Sequence, residues 1–216
     1  MKYELLSNNR VFLCGEISSE PKFSHESFGE AFYEIDLKVK RLSEQFDTIP
    51  VTISDKLLTN EMVIGAKLAI KGQFRSYNKV EDGKSKLMLT VFVREIIEYN
   101  QSMNPNIIEI SGFICKEPTY RTTPFKREIC DVLVAVNRAY NKSDYLPCIA
   151  WGRNARYVKN LGIGKKVNLV GRIQSREYQK KTDDGEVLTK TAYEVSINKI
   201  SDDEIFDDID NNEAMS

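Results

Sequence analysis

Between Val132 and Lys181 the chain gathers side chains suited to gripping a polymer of flat rings and negative charges. An apolar strand at Val132–Val136 leads into a polar loop that carries Tyr140 and Tyr145, and the following strand ends in the single tryptophan, Trp151. Arg138, Arg153, Arg172 and Arg176 are spaced among these rings, Tyr178 follows, and Lys180 and Lys181 extend the basic run. Rings offer faces on which bases stack and cations meet phosphates, so this mixture is what binding of a single-stranded nucleic acid requires. Strand alternation sorts the set. Tyr145, Pro147, Ile149 and Trp151 share one side, while Leu146, Cys148 and Ala150 form a small apolar set fit for the inside of a narrow barrel. In the next strand Val167, Leu169, Gly171 and Ile173 point inward, and Arg172, Gln174, Arg176 and Tyr178 point outward together. Tyr140 lies in a loop that alternation does not place. Singly these residues have plainer readings, a strand-end tryptophan in a core or a pair of solvated arginines. The combination points to a binding face, with Arg138, Arg153, Arg172 and Arg176 as the main phosphate contacts.

The elements that must position this face occur twice. After an arm through Asn8, strands are expected at Asn9–Ile17, Ala31–Arg41 and Ile49–Ser54, with Pro21 and the loop SHESFGE between the first two. Asp55–Ile64 is read as two helical turns, capped by Ser54 or Asp55 and ended by Gly65. Strands at Lys67–Tyr77 and Leu87–Ile97 flank an Asp82-Gly83 turn. A breaker cluster, NQSMNPN, then marks a boundary, and the order repeats. Gly15 and Gly112, Pro21 and Pro118, Val39 and Val136, Arg41 and Arg138, and Pro50 and Pro147 are all 97 residues apart. Gly72 with Gly171 and Ser76 with Ser175 are 99 apart, and the last strands 104. Each step in the offset falls where a loop could take an insertion, so this is an internal repeat. The second helix is expected at Asn154–Leu161, with Ala155, Val158 and Leu161 as its apolar stripe and Gly162 as terminator. Five strands with a helix between the third and fourth is the plan of the OB-fold, a small Greek-key barrel. The expected architecture is therefore all-β: a tandem OB-fold at 1–104 and 105–200, followed by a disordered acidic tail at 201–216.

A net charge of −1 conceals a segregation. The first repeat holds 14 basic and 15 acidic residues, the second 17 and 10, and the tail none and seven. The basic half is the one with the aromatic face. Enzyme readings find little support. Gly162-Ile-Gly164-Lys165 lacks the earlier glycine of a phosphate loop, Lys159 standing there, and the following Ser or Thr, replaced by Lys166. One histidine, His25, and four dispersed cysteines, Cys14, Cys115, Cys130 and Cys148, suggest no nucleophile, metal site or cofactor. The cysteines read as reduced core thiols, and no apolar run has the length of a membrane span or a leader, so a cytoplasmic protein is expected.

Residues 107–200 resemble the bacterial single-stranded DNA-binding protein family, SSB. The matching segments are Gly112, Pro118, VAVNR at 134–138, CIAWG at 148–152, the helix, Gly164-Lys165 and GRIQSREY at 171–178. The resemblance implies non-specific single-stranded DNA binding in replication, recombination and repair, with base-stacking positions on Tyr140, Tyr145, Trp151 and Tyr178. The first-repeat equivalents are Ser43, Thr48, Ser54 and Lys79, which cannot stack, leaving Tyr77 beside Lys71 and Arg75, with Phe46 able to reach over from its loop. Because the family assembles four barrels, the resemblance implies a homodimer of this two-barrel chain. It also makes Asp202, Asp203, Ile205 and Phe206 candidates for recruiting replication or repair proteins, although the family's tip ends in phenylalanine and Phe206 is followed by ten residues. Three other readings remain open: a primosomal accessory protein acting through helicase contacts, a module whose aromatics fill a subunit interface, and an RNA-binding OB domain.

Overall fold

The computed structural model describes residues 8–41, 43–81, 83–181, 185, 187–203 and 205. The expected N-terminal arm apart from Asn8, the side chains of Lys180 and Lys181, and Phe206 with the tail beyond it lie outside what is described. The first half contains β1 (Asn9–Ile17), β2 (Lys22–Ser27), β3 (Glu30–Lys40), β4 (Phe46–Ser54), β5 (Lys67–Glu81) and β6 (Lys84–Ile97). The second contains β7 (Asn106–Ile114), β8 (Thr119–Thr122), β9 (Glu128–Asn137), β10 (Ser143–Trp151), the helix α1 (Gly152–Val158), β11 (Lys166–Lys181) and β12 (Val187–Ser201).

Each half closes on itself. In the first, β1 pairs β3 and β5, β3 pairs β4, β5 pairs β6, and β4 meets β6 in parallel. The second repeats this ring as β7–β9–β10–β12–β11, with β10 and β12 parallel. The expected inward sets line these barrels: Leu146, Cys148, Ala150, Val167, Leu169 and Ile173 are all buried. The repeated glycines mark where backbones come closest. A Cβ on Gly15 would lie 2.5 Å from the Lys38 carbonyl oxygen, and one on Gly112 2.6 Å from that of Ala135, at the points where β1 and β7 close their barrels. The thiols Cys14, Cys130 and Cys148 are buried and Cys115 partly so, and all four are free.

Three expectations are corrected. The loop SHESFGE is largely β2, an edge strand whose polar side chains are mostly exposed and give no alternation to read. Its hairpin turns on Phe28 and Gly29, both with positive φ. Asp55–Ile64 is a string of turns rather than a helix. The Ser54 hydroxyl accepts from Lys56 N, and Leu58 N bonds back to Ser54 O at 3.1 Å. Thr59 and Asn60 then interrupt with poor helix propensity, while Leu57, Leu58 and Met62 pack into the barrel. Third, α1 begins two residues earlier than expected and ends at Val158. Ala155 and Val158 are buried as expected and Leu161 still packs on the core, but the left-handed glycine of this stretch is Gly164, not Gly162.

The two barrels are joined edge to edge. β1 and β7 run antiparallel, with Arg10 opposite Glu109, Val11 opposite Ile108 and Phe12 opposite Ile107, so all twelve strands form one sheet. Val11 and Ile108 are repeat equivalents, and the pairing is therefore centred on a pseudo-two-fold axis between them. Within each barrel the same device holds the bulged strand. Asn9 exchanges two hydrogen bonds with the Phe74 backbone, and Asn106 does so with Ile173. On one side of the seam a second apolar cluster forms from Phe12, Cys14, Ala69, Met103, Ile107 and Val170. Met103 comes from the connector between the barrels, and Tyr99 and Ile205 complete the cover.

Candidate nucleic-acid interface

The second barrel presents its rings on the outer face. Tyr145, Trp151 and Tyr178 are 47%, 37% and 38% exposed, and Tyr140, at the tip of its loop with positive φ, is 93% exposed. Trp151 Nε1 donates to Ser196 Oγ at 3.3 Å, and Ser196 faces Arg172 across the β11–β12 ladder. Trp151, Ser196 and Arg172 thus make a band across three strands. Ile149 faces Ser196 in the parallel pairing, which puts Tyr145 level with Ala192 and its partner Arg176. Tyr178 lies two residues beyond Arg176. At about 3.3 Å per residue, the Tyr145–Arg176–Tyr178 end sits roughly 20 Å from the Trp151 end. The face therefore carries rings at both ends, with Arg172 and Arg176 on the strand between them.

The expected phosphate contacts divide into two groups. Arg153 is exposed on α1, and the Arg176 side chain is 59% exposed, with Glu194 only at 4.0 Å. Arg138 and Arg172 are instead committed to the seam. Arg138 Nε lies 3.2 Å from Asp144, and Arg172 Nη1 donates to Asp47 at 3.2 Å while Nη2 donates to Gln174 at 2.9 Å. Burial holds the Arg172 guanidinium below its ordinary pKa, and Asp47 acts against that shift.

Asp47 and Asp144, 97 residues apart, are the residues that alternation alone does not single out. Both side chains are buried, and each reaches into the other barrel. Asp47 accepts from Ser175 N at 2.7 Å, from Ser175 Oγ at 3.2 Å, and from Arg41 Nε at 2.8 Å. Asp144 accepts from Ser76 N at 2.7 Å, and Ser76 Oγ in turn accepts from Tyr145 N at 2.8 Å. The second pin is less complete: Asp144 Oδ2 and Arg138 Nε are buried without a well-directed hydrogen bond. Burial raises the Asp144 pKa, against the opposing pull of the Ser76 N–H and Arg138. Because Tyr145 N is tied to Ser76, the first barrel helps set where this exposed second-barrel ring stands. The signal for these pins was in the repeat register, since Arg41 and Arg138 precede the two aspartates at equal distance.

Two more aromatics share that register. Phe28 and Phe125, also 97 apart, are almost wholly exposed at the tips of the β2–β3 and β8–β9 hairpins. In the first barrel Tyr77 donates its hydroxyl to Glu34 at 3.2 Å, and Lys38 sits 4.4 Å over the Phe46 ring. The start of the acidic segment is attached to the body. Asp202 pairs with Lys165 and accepts from the Tyr157 hydroxyl, and Asn168 Nδ2 donates to Asp202 O and Asp203 O at 3.1 and 3.0 Å. Ile205 packs on the seam cluster, so its side chain is partly covered.

Known proteins resemble this chain in sequence and fold. Residues 105–202 match the model of the Single-strand binding protein family. Single-stranded DNA-binding protein 1 of Staphylococcus aureus is 33% identical over 81 residues, covering 34% of this chain and 48% of the relative. Single-stranded DNA-binding protein A of Bacillus subtilis is 31% identical over 81 residues, covering 34% and 47%. The chain thus spans about half the length of the curated relatives it matches. The crystal structure of the wild-type single-stranded DNA binding protein from Thermus aquaticus superposes with a TM-score of 0.65 at 17% identity, covering 92% of this chain and 94% of that one. That likeness runs through both barrels and identifies the fold as a tandem OB-fold. The second barrel, residues 105–202, carries the rings and arginines expected of such a surface and belongs to the single-strand binding protein family.

Proposed function

We propose that this chain binds single-stranded DNA with little sequence preference, as a binding protein of replication, recombination and repair rather than an enzyme. The observation that carries the reading is the placement of Tyr145, Trp151 and Tyr178 on one outer face of the second barrel, with Arg153 and Arg176 exposed among them. Bases stack on the rings, each contributing about 1–3 kcal/mol, and every base has a face that a ring can hold, so sequence matters little. Phosphates meet Arg153 and Arg176 first. Arg138 and Arg172 act mainly by holding the seam, and Lys180 and Lys181 are further phosphate contacts of this reading. Tyr140, on its exposed loop, closes over the strand. Among the described residues no helix is long and apolar enough to cross a membrane; we place the protein in the cytoplasm, as a homodimer presenting four barrels. The acidic tail would recruit replication or repair enzymes, with Asp202 and Ile205 serving as its anchor on the body.

The test uses the unique tryptophan. Titration with oligo(dT) at low salt is expected to quench or shift Trp151 emission, and Trp151→Ala and Tyr178→Ala are each expected to weaken binding about 5- to 150-fold. No change in emission together with no gel shift would reject the function. Wild-type affinity in both variants would reject the assigned face, favouring instead a surface buried between subunits, which light scattering would reveal.

A further inference from the structure

The first barrel lacks rings at the positions that carry them in the second, yet its outer face is not bare. Trp151 lies over Ser196 in the second barrel, and the repeat equivalents of this pair are Ser54 and Phe92. The large ring has moved one strand sideways, from the end of β4 to β6, across the parallel pairing in which Phe92 faces Thr52. A ladder of rings crosses the sheet from there. Phe92 packs on Phe32 at 5.4 Å between centroids, and Phe32 is stacked against His25 at 5.0 Å with 15° between planes. The second-barrel equivalents of Phe32 and Phe92, Ile129 and Ser196, form no such ladder.

The ladder ends in arginines. Arg75 lies 3.9 Å over the Phe92 ring and Arg94 5.1 Å from it. Both donate to a single neutral acceptor, Gln73 Oε1, at 2.9 and 3.3 Å. Among the described residues neither makes an ion pair, and Arg75 Nε is buried with no hydrogen-bond partner. Burial, with Arg94 and Arg138 nearby, pushes the Arg75 pKa down to about 10, which leaves it charged at neutral pH. Two adjoining guanidiniums that no carboxylate ion-pairs, with only the buried Asp144 partly offsetting Arg75 from the second barrel, favour an incoming anion. In front of Arg75 runs a groove of about 580 Å³ whose walls include His25, Phe92, Tyr77, Arg75 and Lys79, with Arg138 contributed by the second barrel, while Arg94 stands just outside it on the far side of Gln73. One carboxylate, Glu34, lines it, and that group accepts from Ser24 and Tyr77 hydroxyls.

We propose that this groove is a second single-stranded DNA site, built on the Arg75–Phe92 stack rather than on the ring positions of the second barrel. A base lies against the Arg75 guanidinium plane and its supporting ring, and the flanking phosphate meets Arg75, with Arg94 adding positive potential from beside the groove. Arg138, which stands in the groove wall and precedes the Tyr140 loop, joins it to the second-barrel face, so one strand can run across both. The proposal rests on the DNA-binding reading of that face.

The test uses the full chain and thymidine oligomers carrying 5-iodouracil. On ultraviolet irradiation an oligomer long enough to span both barrels is expected to crosslink to peptides containing Tyr77 or Phe92 as well as to those containing Tyr145, Trp151 or Tyr178. Phe92→Ala should abolish the first group and weaken the long oligomer about 5- to 100-fold, while a short oligomer still quenches Trp151 with affinity unchanged within twofold. Arg75→Gln, which keeps a flat group over the ring, should fold as the parent does and lower the salt slope for the long oligomer by about 0.7. Crosslinks confined to the second barrel, or an unchanged slope in Arg75→Gln, would overturn the proposal. Absence of Trp151 quenching alongside intact first-barrel crosslinks would instead remove the second-barrel reading and support this site.

Discussion

Removing the Asp47 carboxylate is the severest single test of how the barrels are held. Its side chain is 1% exposed and takes bonds from Arg41, Arg172 and the Ser175 backbone, the last two across the seam. Asp47→Ala leaves two guanidiniums without their counter-charge and one N–H without an acceptor. Breaking a buried pair from one side costs about 3–5 kcal/mol. With a urea dependence of about 2–3 kcal/mol per molar, the unfolding midpoint should fall by about 1–2.5 M. Asp144→Ala supplies the internal control. Its carboxylate has one strong donor, Ser76 N, and a poorly directed contact to Arg138, so a loss of about 1–3 kcal/mol is expected. The assay is equilibrium urea unfolding followed both by Trp151 emission, which reports the second barrel, and by far-ultraviolet circular dichroism, which reports both. Asp47→Ala should lower both transitions. A midpoint within about 0.2 M of the parent, or a greater loss in Asp144→Ala than in Asp47→Ala, would refute the idea that the seam depends on this charge cluster.

Further outcomes follow from the same geometry. Arg176→Ala should reduce the salt slope of DNA binding by about 0.7 without altering stability, whereas Arg172→Ala should lower the unfolding midpoint because Asp47 loses a partner; oligo(dT) titrations at several salt concentrations and urea melts separate the two. Gly112→Ala places a methyl against the Ala135 carbonyl and the Val134 side chain and should destabilise the second barrel by about 1–3 kcal/mol, read from Trp151 in urea. Asp144→Asn should be at least as stable as the parent at pH 7. The raised Asp144 pKa means that the folded state takes up this proton at higher pH than the unfolded chain, so its contribution to stability grows as pH falls through the folded value. In the asparagine variant that rise between the ordinary aspartate value and the raised one should vanish from a series of urea melts.

The strands were legible because barrel walls alternate and because the chain spells the pattern twice. β1 and the inward set of β10 and β11 could be read from residue type, and the paired glycines from their fixed offset. Less visible were elements without a buried face, such as β2, and the turns after β4, where Leu57, Leu58 and Met62 mimic a helical stripe while plugging the barrel as loops. Exposure of the rings on Tyr145, Trp151 and Tyr178 followed from alternation. The commitment of Arg172 did not, because its partner Asp47 lies 125 residues away and local spacing carries no trace of that contact. The Phe92 ladder was hidden for a related reason: matching positions one for one misses a ring that has shifted to the neighbouring strand.

The unlike pairs flanking the pseudo-two-fold axis also determine which barrel can join which. Across β1 and β7, Arg10 meets Glu109 at 3.3 Å and Phe12 meets Ile107. Two first barrels joined in the same register would set Arg10 against Phe12 twice. Two second barrels would set Ile107 against Glu109 twice, stranding a carboxylate whose side chain is fully buried here. The ribbon is therefore a lock that accepts only unlike halves. Strand exchange between newly made copies would have to respect this code, and a Glu109→Arg change would turn the matched pair into a repulsive one and loosen the chain's preference for its own second half.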